Sequence, residues 1–237
     1  MNFIKRWIVS NQNKILYTKT PLEYAEAVHN SNNGLFFNVN LYALGHLCSD
    51  PEFQTCFNNC KTIGVDGVGA SILIYLSLKK WYPPYGYKEW GDIYLQMLSE
   101  EKILLLGGTN KEIRLAAETI KSIVDPSNEV FYINGYENTR FYINMIKEIS
   151  PTVCFVGMGM PTQEKLMVTL WGKNKNCKYL SCGGWFKQLA GLEYCCPKPL
   201  LYFRLEWVWR SLFRRGHIKN RVIKPLIKII TTQWPNT

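Results

Sequence analysis

Charge is scarce in this chain: Asp, Glu, Lys and Arg together make up 19% of its 237 residues. There are three histidines, His29, His46 and His217, and they are scattered. The eight cysteines contain no Cys-x-x-Cys pair, so neither a zinc site nor a disulfide framework is expected. Cys56 and Cys60 have helical spacing and Cys195 and Cys196 are adjacent, which fits reduced, mostly buried thiols in a cytoplasmic protein. No Asp-x-Asp occurs, so the usual carboxylate pair for a metal-bound nucleotide-sugar is missing. No uncharged apolar run approaches the ~18 residues that a membrane-spanning helix needs. The longest, residues 70–78, has the length of a buried helix or strand. The N-terminus starts basic, but its apolar run is short and no small-residue cleavage site follows, so it does not read as a signal peptide.

What is present is a large apolar fraction, 47%, enough for a sizeable core and too much for a disordered chain. The net charge is +10, and it is unevenly placed. Residues 198–237 hold nine Lys and Arg against the single acid Glu206, so +8 of the +10 lies in the last forty residues. The reading is a core over 1–197 and a basic, helical, membrane-docking appendage over 198–237. Natural partners of such a segment are a phospholipid headgroup, a diphosphate or a nucleic acid. On a helix over 200–215, Arg204, Arg210, Arg214 and Arg215 share one side, with Phe203 and Trp207 among them. Leu201, Leu205, Val208 and Leu212 share another. Rings beside cations suit the interfacial layer of a membrane. No nucleic-acid-binding motif accompanies the basic residues, so nucleic acid is not the expected partner.

Along the core, short apolar runs end in glycine turns and lead into amphipathic stretches. Strands are expected at 35–39, 62–65, 102–106, 130–133, 152–156 and 178–181, with helices over 67–80, 110–124, 138–149 and 162–171 between them. That alternation predicts an α/β fold with a Rossmann-like, mostly parallel sheet flanked by helices. Ligands of such sheets bind beyond the carboxyl ends of the strands. The turns at Asp66, Gly107-Gly108-Thr109, Gly135-Tyr136, Gly157-Met158-Gly159 and Gly183-Gly184 therefore form one candidate site.

The most specific tract is VGMGMPTQE, residues 156–164. Gly157 and Gly159 permit close approach of the backbone to a ligand, and a helix starting near Pro161 points its free N–H groups at a phosphate. Thr162 fills the third position of a dinucleotide Gly-x-Gly-x-x-Gly fingerprint, and after Glu164 no acid follows until Glu193, so a nicotinamide cofactor is not expected. Asp66 stands between a strand and Gly67. It reads either as a general base or as a helix N-cap, and spacing leaves both open. Asn38 and Asn40 point to one side at a strand end, to bind a sugar or to finish the strand.

Taken in order, VNLYAL, VDGVG, LLGGT, NGY, VGMGMPTQE, CGGWFKQLAG, CCP and LEWVWR resemble the WecG/TagA/CpsF glycosyltransferases, glycosyltransferase family 26, over about residues 30–215. Members include N-acetylmannosaminyltransferases of cell-surface polymers. The resemblance implies an inverting, metal-independent transfer from a UDP-sugar to a polyprenyl-diphosphate-linked sugar, with no cofactor. It also implies residence at the inner face of the cell membrane, on an anionic surface, and it leaves room for a homo-oligomer. The family's aspartate base matches Asp66, its strand-end asparagine Asn40 and its Pro-x-Gln-Glu glutamine Gln163. Substrate contacts fall on Asn38, Lys88, Gly107, Gly108, Thr109, Tyr136, Gly157, Gly159, Pro161, Glu164, Gly184, Phe186 and Lys187. Contacts to membrane or diphosphate fall on Arg204, Arg210, Arg214, Arg215 and Arg221. Departures from the pattern are Asn38 for threonine, Lys88 for arginine, Lys187 for aspartate and Cys196 for alanine, and the usual Glu-Pro-x-Arg gives way to RRGHIKNR. Lysine keeps arginine's charge but not its bidentate fork. The competing reading is a non-catalytic basic membrane- or nucleic-acid-binding module on an α/β scaffold.

Overall fold

The computed structural model describes residues 3–192 and 218–233. Six strands form one sheet, every pairing parallel: β1 (Gly34–Val39), β2 (Thr62–Val65), β3 (Lys102–Gly107), β4 (Glu129–Ile133), β5 (Val153–Gly157) and β6 (Lys178–Ser181). Their order across the sheet is β2-β1-β6-β5-β3-β4. All six predicted strands are present, and the sheet is wholly rather than mostly parallel. The central strands read as continuous apolar runs because both their faces are covered.

Helices α1 (Phe3–Asn11), α2 (Pro21–His29), α3 (Leu41–Leu47), α4 (Pro51–Asn59), α5 (Val68–Leu78), α6 (Tyr87–Gln96), α7 (Asn110–Ile123), α8 (Thr139–Ile149), α9 (Thr162–Trp171) and α10 (Trp185–Leu189) flank it. Two buried clusters divide them. One joins α1, α3, α4, α5, α8 and α9 to one face of the sheet through residues such as Phe53, Phe57, Ile74, Ile146 and Met167. The other joins α2, α6, α7 and α10 to the opposite face through Tyr24, Trp90, Tyr94, Ile113 and Trp185. The sequence did not announce α1 to α4 or α6, although Thr20-Pro21-x-Glu23 is a start signal: the Thr20 side chain accepts from Glu23 N–H.

Near the C-terminus a π-helical turn, Lys219–Ile223, runs into α11 (Lys224–Thr231). This segment packs on α3. Ile229 joins the core, and a methyl built on Gly45 would lie 2.7 Å from Pro225 Cβ. The boundary expected at 197/198 lies outside the described residues, as do Arg204, Arg210, Arg214 and Arg215. Cys48, Cys56, Cys60, Cys154, Cys177 and Cys182 are free thiols, and burial pushes Cys60 up to about 12. Among the described residues no helix is long and apolar enough to cross a membrane.

Candidate active site

The strand ends collect at one edge of the sheet. β1 and β2 run in register with Val39 opposite Val65, and Asp66 N–H donates to Val39 O at 2.9 Å. Asn40 and Asp66 are the next residues on each strand. They therefore emerge side by side.

Each has a local reason to be there. Asn40 is the N-cap of α3, and its Oδ1 accepts from Ala43 N–H at 3.0 Å. The N-cap of α5 is Gly67, which carries no side chain for the purpose. The Asp66 carboxylate stands one residue earlier, half-buried at the strand end. The segment leading into α6 closes on it: Tyr85 N–H donates to Val65 O at 2.9 Å, and a methyl on Gly86 would lie 3.6 Å from Asp66 Oδ1. Lys88 is exposed two residues further on.

Asn38 faces inward from this edge. Its Nδ2 donates to Ser181 O at 2.9 Å, and Tyr24 Oη donates to its Oδ1 at 3.4 Å. Asn38 therefore ties β1 to β6 and to α2, which is the strand-finishing role. Tyr24 was not singled out from the sequence. Burial, and then the charge of Asp66, push its phenol far above the ordinary range, so it remains a neutral donor beneath the site.

A second part of the edge lies between β3 and β5. The chain leaves β3 through α7 toward β4 and leaves β5 through α9 toward β6, on opposite faces, so the turns diverge here. Such a divergence opens a crevice at the carboxyl ends. Gly107 and Gly157 are paired in register, and a side chain on Gly107 would strike the Gly157 carbonyl. Gly108 N–H donates to Gly157 O at 3.3 Å, and Gly135 N–H donates to Gly108 O at 2.9 Å. The β3, β4 and β5 turns are thereby joined backbone to backbone. Asp66 and Gly157 follow strands three positions apart in the sheet, about 14 Å at the usual spacing.

Several expected contact residues have structural work. Thr109 and Glu112 form a capping box at α7: Glu112 N–H donates to Thr109 Oγ1 at 3.2 Å, and Thr109 N–H to Glu112 Oε2 at 2.9 Å. Lys187 pairs with Glu112, Nζ to Oε1 at 3.8 Å. Phe186 is buried under β5, where a methyl on Gly157 would meet its ring at 2.8 Å. Pro161 stands at the N-cap of α9, and Gly184 at the N-cap of α10. Tyr136 is 78% exposed after the edge strand β4, five strand positions from β2. It is not brought near Asp66.

Gln163 and Glu164 both lie inside. Gln163 Oε1 accepts from Gly159 N–H at 3.1 Å, and Gln163 Nε2 donates to Glu164 Oε1 at 2.7 Å. Burial pushes the Glu164 carboxyl up to about 7, against the bond from Gln163 that favours its charge.

Beyond Asn40, α3 and α11 enclose an open cavity of about 440 Å3 lined by Tyr42, His46, Arg221, Lys224 and Lys228 among others. The Arg221 guanidinium lies 4.0 Å from the centre of the Tyr42 ring. Burial, then the charges of Lys228 and Arg221, hold His46 below the ordinary imidazole value, and Asp50 opposes them only in part. Of these residues only Arg221 was expected from the sequence. Among the described residues no cluster of three His, Cys, Asp or Glu is arranged to hold a metal ion.

Residues 12–234 match the family model described as glycosyl transferase WecG/TagA/CpsF family. Two curated relatives are from Staphylococcus aureus strains NCTC 8325 / PS 47 and MRSA252. Both are named N-acetylglucosaminyldiphosphoundecaprenol N-acetyl-beta-D-mannosaminyltransferase. Each is 27% identical over 205 residues, covering 82% of this chain and 79% of the relative.

Proposed function

The chain belongs to the glycosyl transferase WecG/TagA/CpsF family, and on that premise we propose that it moves a sugar from a UDP-sugar to a polyprenyl-diphosphate-linked sugar in cell-surface polysaccharide synthesis. The sugar is N-acetylmannosamine or a related hexose or uronic acid, and transfer inverts the anomeric carbon. The relatives' printed names support the acceptor class. The observation that carries the catalytic assignment is the pairing of Asn40 and Asp66 at the ends of adjacent parallel strands, with Asp66 half-buried at the edge where ligands of such sheets bind.

In this reading Asp66 takes the proton of the acceptor hydroxyl as that oxygen attacks the anomeric carbon from the face opposite UDP. Asn40 uses its Oδ1 in the α3 cap, so its amide N–H groups are the part that faces substrate. The donor's diphosphate lies along the Gly107 and Gly157 turns toward the N-terminus of α9, where the helix dipole favours negative charge. Charge growing on the leaving UDP is met by backbone N–H groups and by cations such as Lys88, without a metal. The acceptor's diphosphate and the anionic membrane surface are met by the cationic cavity of Arg221, Lys224 and Lys228. In this reading the enzyme works as a peripheral protein on the cytoplasmic face of the membrane. A non-catalytic scaffold gives no reason for a half-buried carboxylate and an asparagine set side by side at the strand ends.

The test is a panel of UDP-sugars, UDP-N-acetylmannosamine among them, with a lipid-diphosphate-linked N-acetylglucosamine acceptor in excess EDTA. Acceptor-dependent UDP release is expected. A strict requirement for added Mg2+ or Mn2+ contradicts the leaving-group chemistry, and no release from any donor contradicts the donor class.

A further inference from the structure

Glu164 is 0% exposed, and its Oε2 meets no hydrogen-bond donor among the described residues. An orphaned polar atom at that depth costs stability. A methionine of similar volume would fill the place without that cost. Among the described residues no cation pairs with the carboxyl. Its titratable neighbour across the interface is the Cys56 thiol of α4, which its charge helps to push up. Packing therefore gives no reason for an acid here, and the reason is sought in what its other oxygen does.

That oxygen, Oε1, accepts from Gln163 Nε2 at 2.7 Å. The other end of the same amide, Gln163 Oε1, accepts from Gly159 N–H at 3.1 Å, and Gln163 N–H returns to Gly159 O at 3.1 Å. Gly159 has φ +80 and no described atom within 4 Å of the place where its side chain would be. An amide can sit either way round. Turned over, Gln163 would set its NH2 against Gly159 N–H, two donors facing each other. A neighbouring acceptor on the NH2 side forbids that turn.

We propose that Glu164 is a positioning residue: it fixes the orientation of the Gln163 amide, and through it the Gly157-Met158-Gly159 turn that receives the donor's diphosphate. Gln163 then acts through Gly159 rather than by touching the sugar. The carboxyl serves in either protonation state, because a protonated carboxyl keeps an acceptor oxygen for Gln163. Its raised pKa makes the neutral form accessible near pH 7, which softens the burial. The functional part of the inference rests on the UDP-sugar reading above.

The experiment compares wild type, Glu164→Met and Glu164→Gln by amide exchange at Gly159, UDP affinity by calorimetry, and melting temperature. Glu164→Met keeps volume and removes the acceptor. Faster Gly159 exchange and UDP affinity weaker by about tenfold, ~1.4 kcal/mol, are expected, with a melting temperature unchanged or raised. Glu164→Gln keeps a carbonyl oxygen for Gln163 and should lie closer to wild type on both readouts. A purely structural role would move stability and affinity together. Unchanged Gly159 exchange in Glu164→Met overturns the clamp. So does an affinity loss that tracks a lowered melting temperature equally in both variants. Wild type that fails to bind UDP overturns the donor reading and leaves the clamp to be decided by the Gly159 exchange rate.

Discussion

Asn40 and Asp66 follow a register pair, Val39 and Val65, on adjacent parallel strands, and the backbone bond from Asp66 N–H to Val39 O holds them level at 2.9 Å. Neither side chain needs the other to be placed. The ladder places both, which makes the pair a property of the sheet rather than of a loop. Asn40 spends its oxygen on the α3 cap, whereas the N-cap position of α5 is a glycine and Asp66 stands one residue before it.

The two duties of Asn40 can be separated. Serine caps a helix about as well as asparagine but has no amide nitrogen. Asn40→Ser should hold its unfolding free energy within about 1 kcal/mol of wild type and lose turnover by about tenfold or more, the size of one lost hydrogen bond in the transition state. Denaturant melts and steady-state rates read the two effects. Full turnover in a stable Asn40→Ser would confine this residue to capping.

Glu164 sets a pH dependence whose sign is determined. Its folded value of about 7 lies above the ordinary 4.5, so the folded protein binds this proton more tightly than the unfolded chain. The stabilisation is complete below about pH 4.5 and is lost as pH rises through 7. Wild type should therefore lose on the order of 3 kcal/mol more than Glu164→Gln between those limits. Urea melts of both proteins at pH 5 and pH 8 measure most of that difference. Parallel curves would show that Glu164 ionises normally when folded.

The cavity between α3 and α11 concentrates Arg221, Lys224 and Lys228 without a lining acid. Each cation near an anionic surface is worth on the order of 1 kcal/mol, so Arg221→Ala with Lys224→Ala should weaken binding to anionic vesicles by roughly 30-fold at low salt. The gap should narrow as salt rises. Equal sedimentation of the double variant and wild type would remove the cavity from the docking surface. Substitution is a cleaner probe than truncation at 198, because removing α11 would uncover Gly45 and strip Ile229 from the core.

The strands were legible because a parallel strand buried on both faces is an unbroken apolar run, and 102–106 and 153–156 are such runs between turn residues. Their order was not, since pairing β1 with β6 depends on contacts far apart in sequence. The short helices hid for a different reason: α3 has only seven residues and shows no long period, and the N-cap of α6 is a glycine with no side chain to signal it. Asp66 was ambiguous because a carboxylate between a strand and a helix start suits a cap and a general base alike. For Gln163 the tract was recognisable, but both ends of its amide are taken by neighbours whose burial depends on the folded sheet. Tyr42 and His46 escaped notice, and Lys224 was read only as one of the basic C-terminal residues, because α3 and α11 meet only in three dimensions.

The most direct measurement is turnover by Asp66→Asn on the UDP-sugar and lipid-linked acceptor pair that wild type uses, with UDP affinity measured alongside. Asparagine keeps the size of the side chain and removes its basicity. Turnover should fall by about 10²–10⁴-fold, the usual cost of a lost general base, while UDP affinity changes little. An Asp66→Asn enzyme that keeps most of its turnover would contradict the assignment of Asp66 as the base.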